Sequence, residues 1–299
     1  MLQPWHSSLT IDEIQKMLES EKYVAERSIA IAIFLALKLN KPLLIEGEPG
    51  SGKTEIAKVI SKMLGTDLIR LQCYEGLDAS STLYEWDYLR QLLKIRLEEG
   101  RKESDQIELE IFNEKYLLKR PLLKALLHDG DKPPILLMDE IDRADEEFEG
   151  FLLEFLAEFQ VTIPEMGTIS AKHHPIVLIT SNRTRELGDG LRRRCLYLYL
   201  DYPSLEKELK IINLKIPQIS QDMAKVISRF VQKLRSFDDI IRKPGMAETL
   251  DWGSALVTLG QNKFDGSTVN QTIGCLIKSA DDLERLDRNR VEEILKSIT

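Results

Sequence analysis

The feature of this sequence that most constrains its fold is the octapeptide GEPGSGKT at residues 47–54, which matches the pattern G-x-x-x-x-G-K-[ST]. A short apolar run at Pro42–Glu46 precedes it, and residues 52–63 after it have the pattern of a helix. Glycines in such a strand–loop–helix segment let backbone N–H groups turn toward a phosphate, and the first helical turn adds partial positive charge. We therefore predict a phosphate-binding loop instead of an ordinary glycine-rich turn.

The side chains of this loop predict how a nucleotide is held. Lys53 is placed to reach the β- and γ-phosphates, and the hydroxyl of Thr54 is placed to ligate Mg²⁺. ATP and Mg²⁺ are accordingly the expected ligands. The predicted nucleotide-binding set comprises the loop and the first residues of the helix, namely Glu48, Pro49, Gly50, Ser51, Gly52, Lys53, Thr54 and Glu55.

Two further apolar runs end in polar residues of the kind that handle a metal ion and a water molecule. Ile135–Met138 is followed by Asp139 and Glu140, and Ile176–Thr180 is followed two positions later by Asn182. Neighbouring parallel strands end at one edge of a sheet, beside a loop of this type. We expect Asp139 to hold Mg²⁺, Glu140 to polarise the attacking water and Asn182 to orient that water.

Three consecutive arginines lie between a helical turn and the last apolar run, in the segment Leu191–Cys195. One interpretation is a solvated basic cluster that forms local salt bridges. The other is an arginine finger, because a guanidinium near the γ-phosphate stabilises the charge of the transition state. The spacing alone leaves both interpretations open.

The remaining pattern indicates an α/β domain followed by a helical one. Apolar runs at Leu68–Gln72 and Leu196–Leu200 complete five predicted strands, which alternate with helices as in a parallel sheet covered on both faces. After Pro203 no further strand pattern occurs. We therefore place the boundary at Asp201–Ser204, with an α/β domain at residues 1–202 and a helical domain at residues 203–299.

Local signals predict several further elements. A capping box at Thr10–Glu13 opens one helix, and a second helix is expected from about Glu21 to Leu39. Residues 145–159 are strongly helical, and Val161–Ile169 has the pattern of a hairpin. Nine of the fifteen residues in Arg96–Glu110 are charged, which predicts a solvated insertion within the wider range 84–115.

The composition excludes several classes of protein. The chain has 41 Lys and Arg against 49 Asp and Glu, a net charge of −8, which argues against broad nucleic-acid or membrane-surface binding. Three scattered cysteines suit neither a disulfide framework nor a zinc knuckle. The longest apolar stretch, Ile29–Leu37, is half of what a bilayer requires. We expect a soluble cytoplasmic protein that neither inserts into membranes nor acts on nucleic acid.

The order of these motifs resembles the AAA+ ATPases, within them the MoxR branch, and most closely its CoxD-like members. The segments that carry the resemblance are GEPGSGKT (47–54), LMDEIDRAD (137–145), FLLEFLAEFQVTIPEMGTI (151–169), LITSN (178–182) and LRRRC (191–195). LQCYEGLDASSTLYEWDYLRQLL (71–93) and AETLDW (247–252) are typical of the CoxD-like group. The resemblance covers most of residues 25–260.

The resemblance implies a five-stranded α/β core, a helical lid and a ring, usually of six subunits, with a nucleotide at each interface. It assigns Lys53 and Thr54 to Walker A, Asp139 and Glu140 to Walker B, and Asn182 to sensor 1. These assignments are the ones that the motifs already suggested. The remaining catalytic assignments are two arginines, with Arg194 as the finger that reaches a neighbouring subunit and Arg193 as the alternative.

The resemblance also implies the insertion in the second helix and a set of partners. CoxD-like proteins are associated with the maturation of molybdenum-containing hydroxylases, and MoxR-type proteins commonly pair with a von Willebrand factor A domain protein. One departure concerns the lid arginine called sensor 2, for which residues 246–248 offer none; Arg242 lies several positions earlier. This departure bears on the coupling of the lid to the γ-phosphate.

The expected function is therefore Mg²⁺-dependent ATP hydrolysis that remodels or matures a client protein. A nucleotide-dependent scaffold with little hydrolysis is the alternative, against which the intact Asp139–Glu140 pair argues. A GTPase is suggested only by the N-K-x-D pattern at 262–265, and the D-x-x-G switch pattern is missing from the sequence. The acidic balance argues against a DNA-acting motor. The adjacent His173 and His174 are interpreted as solvent-exposed residues instead of metal ligands.

Overall fold

The structure is a computed structural model that describes residues 9–98, 110–261 and 263–298. The described residues group into two compact units. The first contains residues 9–14, Arg27–Glu46 and most of the chain from Ala57 to Leu198. The second contains Gln15–Glu26, Gly47–Ile56 and the chain from Tyr199 onwards. The phosphate-loop segment therefore groups with the helical part of the chain, whereas the Asp139–Glu140 segment belongs to the first unit.

The nine strands of the described chain are β1 Leu43–Gly47, β2 Leu68–Gln72, β3 Tyr84–Trp86, β4 Leu117–Lys119, β5 Ile135–Asp139, β6 Gln160–Ile163, β7 Gly167–Ser170, β8 Ile176–Ser181 and β9 Leu196–Leu200. A five-stranded sheet with the order β2-β5-β8-β1-β9 forms the centre of the α/β part. All its pairings between β1, β2, β5 and β8 are parallel.

Burial explains why these segments form strands. β1 and β5 are buried at every position, as expected for central parallel strands covered by helices on both faces. β2 lies at one edge and is partly exposed along most of its length. The sheet order and the parallel pairings confirm the predicted α/β fold with a P-loop type of parallel five-stranded sheet, and a helical region follows it.

The register of the sheet places the predicted functional residues at one edge. Gln72 pairs with Asp139 across β2 and β5, and Glu46 pairs with Ser181 across β1 and β8. Met138 pairs with Ile179, so Asp139 is level with the end of β8. The carboxyl ends of β1, β2, β5 and β8 therefore lie side by side, and the phosphate loop begins directly after Glu46.

Helices accompany the strands of the α/β part. Asp145 caps the helix after β5 by accepting a hydrogen bond from Phe148 N at 3.0 Å. The helices lie at Ile11–Ser20, Arg27–Leu39, Lys53–Leu64, Ala79–Leu83, Tyr88–Glu98, Pro121–Leu126, Glu146–Glu158 and Asp189–Arg194, with 3₁₀ turns at Glu114–Tyr116 and Ile141–Arg143. The core beneath them is made of the buried faces of β5 and β8 and the aromatic side chains of helix Glu146–Glu158.

The first two helices correct one sequence-based boundary. The Thr10 capping box is present, since Glu13 accepts from Thr10 N at 2.8 Å and Glu13 N donates to Thr10 Oγ1 at 3.3 Å. The second helix, however, begins at Arg27 and not near Glu21. Lys22 adopts the left-handed conformation, with φ 58°, which interrupts helical geometry after the first helix.

Two small antiparallel sheets flank the central one. β6 and β7 pair from Gln160 with Ser170 to Ile163 with Gly167, which confirms the hairpin expected at Val161–Ile169. β3 pairs with β4, and Trp86 and Tyr116 share a small buried core with Ile163. Residues near both ends of the range 84–115 are therefore packed, whereas residues 99–109 of the predicted solvated insertion lie outside the described residues.

The described chain after β9 is helical. A buried ion pair stabilises it: Arg235 donates to Glu208 at 3.0 Å, and Thr249 Oγ1 donates to the same carboxylate at 3.3 Å. Trp252 and Phe230 lie in its apolar core, with ring centroids 5.3 Å apart. Its helices are Leu205–Lys215, Gln221–Arg235, Met246–Thr258, Gly266–Thr272, Ala280–Arg285 and Arg288–Ile298, with a 3₁₀ turn at Ile273–Cys275.

Within residues 9–98, 110–261 and 263–298, no helix has both the length and the apolar character that crossing a bilayer requires.

Candidate functional site

The phosphate loop has the backbone geometry that its glycines predict. Gly50 and Gly52 have φ values of +71° and +94°, a region that side-chain-bearing residues rarely adopt. Lys53 is buried at the start of helix Lys53–Leu64, and its Nζ donates to the carbonyl oxygens of Gly47 and Glu48, each at 2.8 Å. The ammonium group of Lys53 is thus bonded to two carbonyl oxygens of its own loop, which keeps its positive charge inside the loop.

Ser51 gives an independent indication of a ligand at this loop. Its Oγ is buried and has no hydrogen-bond partner among the residues that the structure describes. A buried hydroxyl without a partner is costly, so such groups usually bond to a ligand or to water. The loop residues therefore fit a phosphate group, which can accept a hydrogen bond from this hydroxyl.

The start of helix Met246–Thr258 contacts the phosphate loop through the backbone. Met246 N donates to Gly50 O at 3.0 Å. A Cβ on Gly245 would lie 2.7 Å from Pro49 O, so only glycine permits this approach. Glu248 caps the helix by accepting from Gly245 N at 3.0 Å. At residues 246–248 the resemblance implies a lid arginine. The helix instead begins there with a backbone contact to the loop and with the acidic capping residue Glu248.

Tyr23 is a neighbour of the loop that sequence reasoning missed. A Cβ on Gly52 would lie 4.0 Å from the Tyr23 hydroxyl. Burial raises the pKa of Tyr23, and the charges of Glu55 and Glu26 raise it further, so the phenol stays protonated. Tyr23 precedes the second helix in a segment without a regular pattern, and nothing in its local sequence indicates the loop as its partner.

Asp139, at the end of β5, has both carboxylate oxygens engaged. Thr180 Oγ1 donates to Oδ1 at 2.5 Å, and Arg70 donates to Oδ2 at 2.5 Å. Thr180 Oγ1 also accepts from Glu140 N at 2.9 Å, which links the ends of β5 and β8. The side chain of Asp139 is 3% exposed. Asp139 is therefore a fixed, buried negative charge, whose partner Arg70 is half exposed.

The carboxylate of Glu140 is held from both sides by amide groups. Gln72 Nε2 donates to Oε2 at 3.1 Å, and Asn182 Nδ2 approaches Oε1 at 3.4 Å. Arg143 lies 3.3 Å from Oε2. The backbone of Glu140 is left-handed, with φ 57°, at the point where β5 ends. The structure therefore brings together Asp139, Glu140 and Asn182, as the sequence predicted, and adds Gln72.

Cys73 lies beneath this carboxylate cluster. Its N–H donates to Asp139 O at 2.9 Å, and its side chain is fully buried. Burial, followed by the charge of Asp139, raises the pKa of the Cys73 thiol to about 12. The thiol is neutral at physiological pH and is packed as an apolar group in the core.

The arginine cluster divides into one anchored and two exposed members. Arg192 lies 3.8 Å from Glu46 and stacks near the ring of Tyr197, with 5.9 Å to the centroid. Arg193 and Arg194 are exposed at the end of helix Asp189–Arg194. Arg194 donates to Leu153 O, and Arg193 lies 3.9 Å from Asp189. Arg192 thus has the role of a local salt-bridge partner.

The residues behind the alternative functions have structural roles. Asp265, in the N-K-x-D pattern, caps helix Gly266–Thr272 by accepting from Thr268 N at 2.9 Å. Phe264 packs against Trp252, with centroids 5.4 Å apart. Asn262, which would carry guanine recognition, lies outside the described residues. His174 packs on the ring of Phe159, with centroids 4.9 Å apart.

Comparison with known proteins identifies the family. The profile of the ATPase family associated with various cellular activities (AAA) matches residues 43–200, which is more than half of the 299-residue chain. The chain belongs to the AAA family of ATPases. The matched range begins at β1 and ends with β9, so the AAA domain coincides with the central sheet and the elements between its strands.

Relatives of this AAA ATPase are distant and mostly longer. A Lon protease of Halothermothrix orenii is 27% identical over 57% of this chain but only 20% of its own length. YeaC, an uncharacterized protein of Bacillus subtilis, is 26% identical over 73% of this chain and 63% of its own length. The chain therefore spans less than two thirds of these relatives.

A solved structure supports the fold. The AAA ATPase is similar to a RuvB mutant of Thermotoga maritima, with a TM-score of 0.50 and 18% identity over 88% of this chain and 73% of that one. An identity this low shows a shared fold alone. The P-loop fold with a helical C-terminal region is thus common to both chains.

Proposed function

We propose that this AAA ATPase hydrolyses ATP to ADP and phosphate in a Mg²⁺-dependent reaction and uses the cycle to remodel or mature a client protein. The observation that carries the proposal is the Glu140 carboxylate, held between the amides of Gln72 and Asn182 at the carboxyl edge of the central sheet. A carboxylate fixed in this way can take a proton from a water molecule during in-line attack on a γ-phosphate.

The proposal assigns roles in this reaction to Lys53, Thr54, Asp139 and Asn182. The Lys53 ammonium, which now bonds to loop carbonyls, would stabilise the charge on the β- and γ-phosphates. Asp139 and Thr54 each offer the kind of oxygen that Mg²⁺ prefers, a carboxylate and a hydroxyl, and would be its protein ligands in the proposed reaction. Bound Mg²⁺ would neutralise charge that develops on the phosphate oxygens. Asn182 would orient the attacking water beside Glu140.

Lys53→Ala is expected to abolish ATP binding, and it tests the phosphate-loop assignment. Loss of the charge-assisted bonds to two phosphates removes about 3 kcal/mol or more, so the Kd for ATP should rise roughly 100-fold or more. Binding of a fluorescent ATP analogue measures this effect. Lys58→Ala, an exposed lysine later in the same helix, is the matched control and should bind as the wild type does. Near wild-type affinity in Lys53→Ala would remove the assignment.

Arg70→Gln is expected to lower the Mg²⁺ concentration that gives half-maximal ATPase activity. The guanidinium now occupies one oxygen of Asp139 and competes electrostatically with a cation there. Because Arg70 is half exposed, the change should be modest, about two- to five-fold. A Mg²⁺ titration at saturating ATP measures it, with the exposed Arg90→Gln as control. An unchanged or higher Mg²⁺ requirement would contradict the assignment of Asp139 to the metal.

A nucleotide-dependent scaffold with little hydrolysis remains the alternative to the ATPase. Both functions predict ATP binding through the same loop, so binding measurements do not separate them. Steady-state turnover does: the ATPase should release phosphate at a rate that Glu140→Gln removes, whereas a scaffold should show the same low rate in both chains.

A further part of the proposal is the assignment to the MoxR family and to its CoxD-like branch. The motifs between residues 47 and 195 support the family, and the segments 71–93 and 247–252 support the branch. With it come a hexameric ring, a von Willebrand factor A domain partner and a molybdenum hydroxylase as the client. A Glu140→Gln chain with a bound ATP should retain its client, which mass spectrometry can identify after purification. Recovery of a molybdenum hydroxylase with Glu140→Gln but not with Lys53→Ala supports this client, and equal recovery with both opposes it.

A further inference from the structure

Asp142 is a buried carboxylate that belongs to neither of the two predicted catalytic segments, Asp139–Glu140 and Leu178–Asn182. It follows Glu140 by two positions, in the 3₁₀ turn Ile141–Arg143, and only 3% of it is exposed. A buried carboxylate is costly unless hydrogen bonds or charges compensate it. The partners of Asp142 therefore indicate what this costly group stabilises.

The partners of Asp142 are three donors from the segment that follows β8. Its Oδ1 accepts from Asn182 N at 3.1 Å. Its Oδ2 accepts from Thr184 N at 2.8 Å and from Thr184 Oγ1 at 2.6 Å. Both oxygens thus bind the turn at residues 182–184, and charge-assisted bonds of this kind are about twice as strong as neutral ones.

The turn that Asp142 binds has an unfavourable backbone conformation. Arg183, between the two bonded residues, has φ 59°, in the left-handed region that non-glycine residues rarely adopt. Arg183 N donates to Ser181 Oγ at 3.0 Å, so each amide of the turn is bonded to an acidic or hydroxyl side chain. Such a conformation persists only when its surroundings impose it. The carboxylate of Asp142 bonds the residues on both sides of Arg183, and Ser181 bonds Arg183 itself.

The backbone conformation of this turn determines the direction of the Asn182 side chain. Asn182 Nδ2 approaches Glu140 Oε1 at 3.4 Å, and a rotation of its backbone would carry the amide away from that oxygen. Glu140 itself has φ 57° immediately before the 3₁₀ turn that contains Asp142. One buried carboxylate therefore joins the turn after β5 to the turn after β8.

We propose that Asp142 is a positioning residue, which fixes the turn at residues 182–184 and thereby holds the Asn182 amide against Glu140. The proposal rests on the proposed ATPase function, since it assigns Asp142 to the same reaction. Asp142 contacts no nucleotide in this role; it acts through Asn182. Its two oxygens accept hydrogen bonds from the backbone and the hydroxyl group of the turn at residues 182–184.

The test is a double-mutant cycle on the turnover rate with Asp142→Asn and Asn182→Ala. Asp142→Asn preserves the volume but replaces one acceptor oxygen by an NH₂ group that faces donors. Because small misplacements in an active site are costly, its kcat should fall about ten-fold or more, with KM for ATP changed less than two-fold. In the Asn182→Ala background the same substitution should lower kcat less than two-fold, because the amide that it positions is gone.

Two further measurements separate positioning from a general loss of structure. Amide hydrogen exchange of residues 182–184 should become at least ten-fold faster in Asp142→Asn, with the exchange of β5 and β8 unchanged. Asp131→Asn, at an exposed acid of the loop before β5, is the matched control because it makes the same chemical change away from the turn. Its kcat should remain within two-fold of the wild type.

The outcomes distinguish the inference from the proposed function. Additive losses in the cycle, or faster exchange throughout the sheet, overturn the inference and assign Asp142 to general stability. A wild-type chain that binds ATP but releases no phosphate overturns the proposed function instead. In that case the exchange of residues 182–184 alone decides whether Asp142 positions the turn, and unchanged exchange in Asp142→Asn overturns it.

Discussion

Glu140→Gln is expected to bind ATP about as tightly as the wild type and to lose its turnover. The glutamine side chain has the same shape but cannot accept a proton from the attacking water. General-base catalysis contributes roughly 10²- to 10⁴-fold, so kcat should fall by at least two orders of magnitude. Binding should persist, because the loop residues around Lys53 are untouched and Asp139 is held by Thr180 and Arg70 rather than by Glu140.

The substitution keeps the shape of the side chain but removes one of its two acceptor oxygens. Gln72 and Asn182 donate to the Glu140 carboxylate through amide groups, and a glutamine there can still accept one of the two bonds through its carbonyl oxygen. Phosphate release measures turnover, and equilibrium binding of ATP measures affinity. Glu147→Gln, an exposed acid in the first turn of helix Glu146–Glu158, is the isosteric control and should keep wild-type turnover. Equal losses of binding and turnover in Glu140→Gln would show that Glu140 supports the nucleotide and is not the base.

The sequence predicted the strands of the sheet because each is short, apolar and punctuated by polar residues. β1, β5 and β8 are buried along their lengths, and burial of both faces is what a continuous apolar run means in a parallel sheet. The loop at residues 47–54 was predictable for the same local reason: its glycines provide the positive φ values that Gly50 and Gly52 have. The position of Asn182 beside Glu140 was predictable because neighbouring parallel strands end at the same edge of a sheet.

Contacts between distant segments could not be predicted in the same way. Thr180 bonds to Asp139 and Glu140, and Gln72 bonds to Glu140, because the register of β2, β5 and β8 aligns them. That register depends on packing across the sheet, which no single segment encodes. The role of Asp142 was not predictable for the same reason, because Asn182 and Thr184 lie 40 and 42 positions later in the chain. The predicted start of the second helix near Glu21 was wrong for a local reason, because Lys22 adopts a left-handed conformation that interrupts the helical pattern.

The structure also narrows the choice among the three arginines. Arg192 is engaged with Glu46 and with Tyr197, whose hydroxyl donates to Glu46 at 2.9 Å. Burial and this hydrogen bond raise the pKa of Tyr197, so the phenol remains a donor at neutral pH. Arg193 and Arg194 are exposed and extend from the end of their helix. In the proposed ring, the finger would exchange its local contact, which is Asp189 for Arg193 and Leu153 O for Arg194, for the nucleotide of a neighbouring subunit.

Arg194→Ala and Glu140→Gln are each expected to be nearly inactive alone and to recover activity when mixed. If Arg194 acts across a subunit interface, Arg194→Ala lacks the finger for its neighbour, whereas its own phosphate loop and Glu140 remain sound. Glu140→Gln has a dead site of its own but still provides Arg194 to a neighbour. An arginine finger is worth about 10³-fold or more in related phosphoryl transfer, so each single variant should fall to a small residual rate.

Mixing the two chains creates complete sites from two defective ones. Wherever an Arg194→Ala subunit receives the finger of a Glu140→Gln neighbour, one interface contains an intact base and an intact arginine. Random exchange at equal ratio makes about a quarter of the interfaces productive, because each subunit choice has a probability of about one half. Turnover of the mixture should therefore rise to about a quarter of the wild-type rate, far above the mean of the two parents. The rate of phosphate release after subunit exchange measures it.

The same mixture made with Arg193→Ala in place of Arg194→Ala decides between the two exposed arginines. Arg193 lies one position earlier on the same helix and pairs only weakly, at 3.9 Å, with Asp189. If Arg194 is the finger, Arg193→Ala should be active on its own, so its mixture with Glu140→Gln should only average the two rates. If subunit exchange is confirmed and the Arg194→Ala mixture also averages its parents, neither complementation nor a finger in trans exists at Arg194. The contact of Arg194 with Leu153 O would then be its function, and the cluster would be a local structural feature of the helix end.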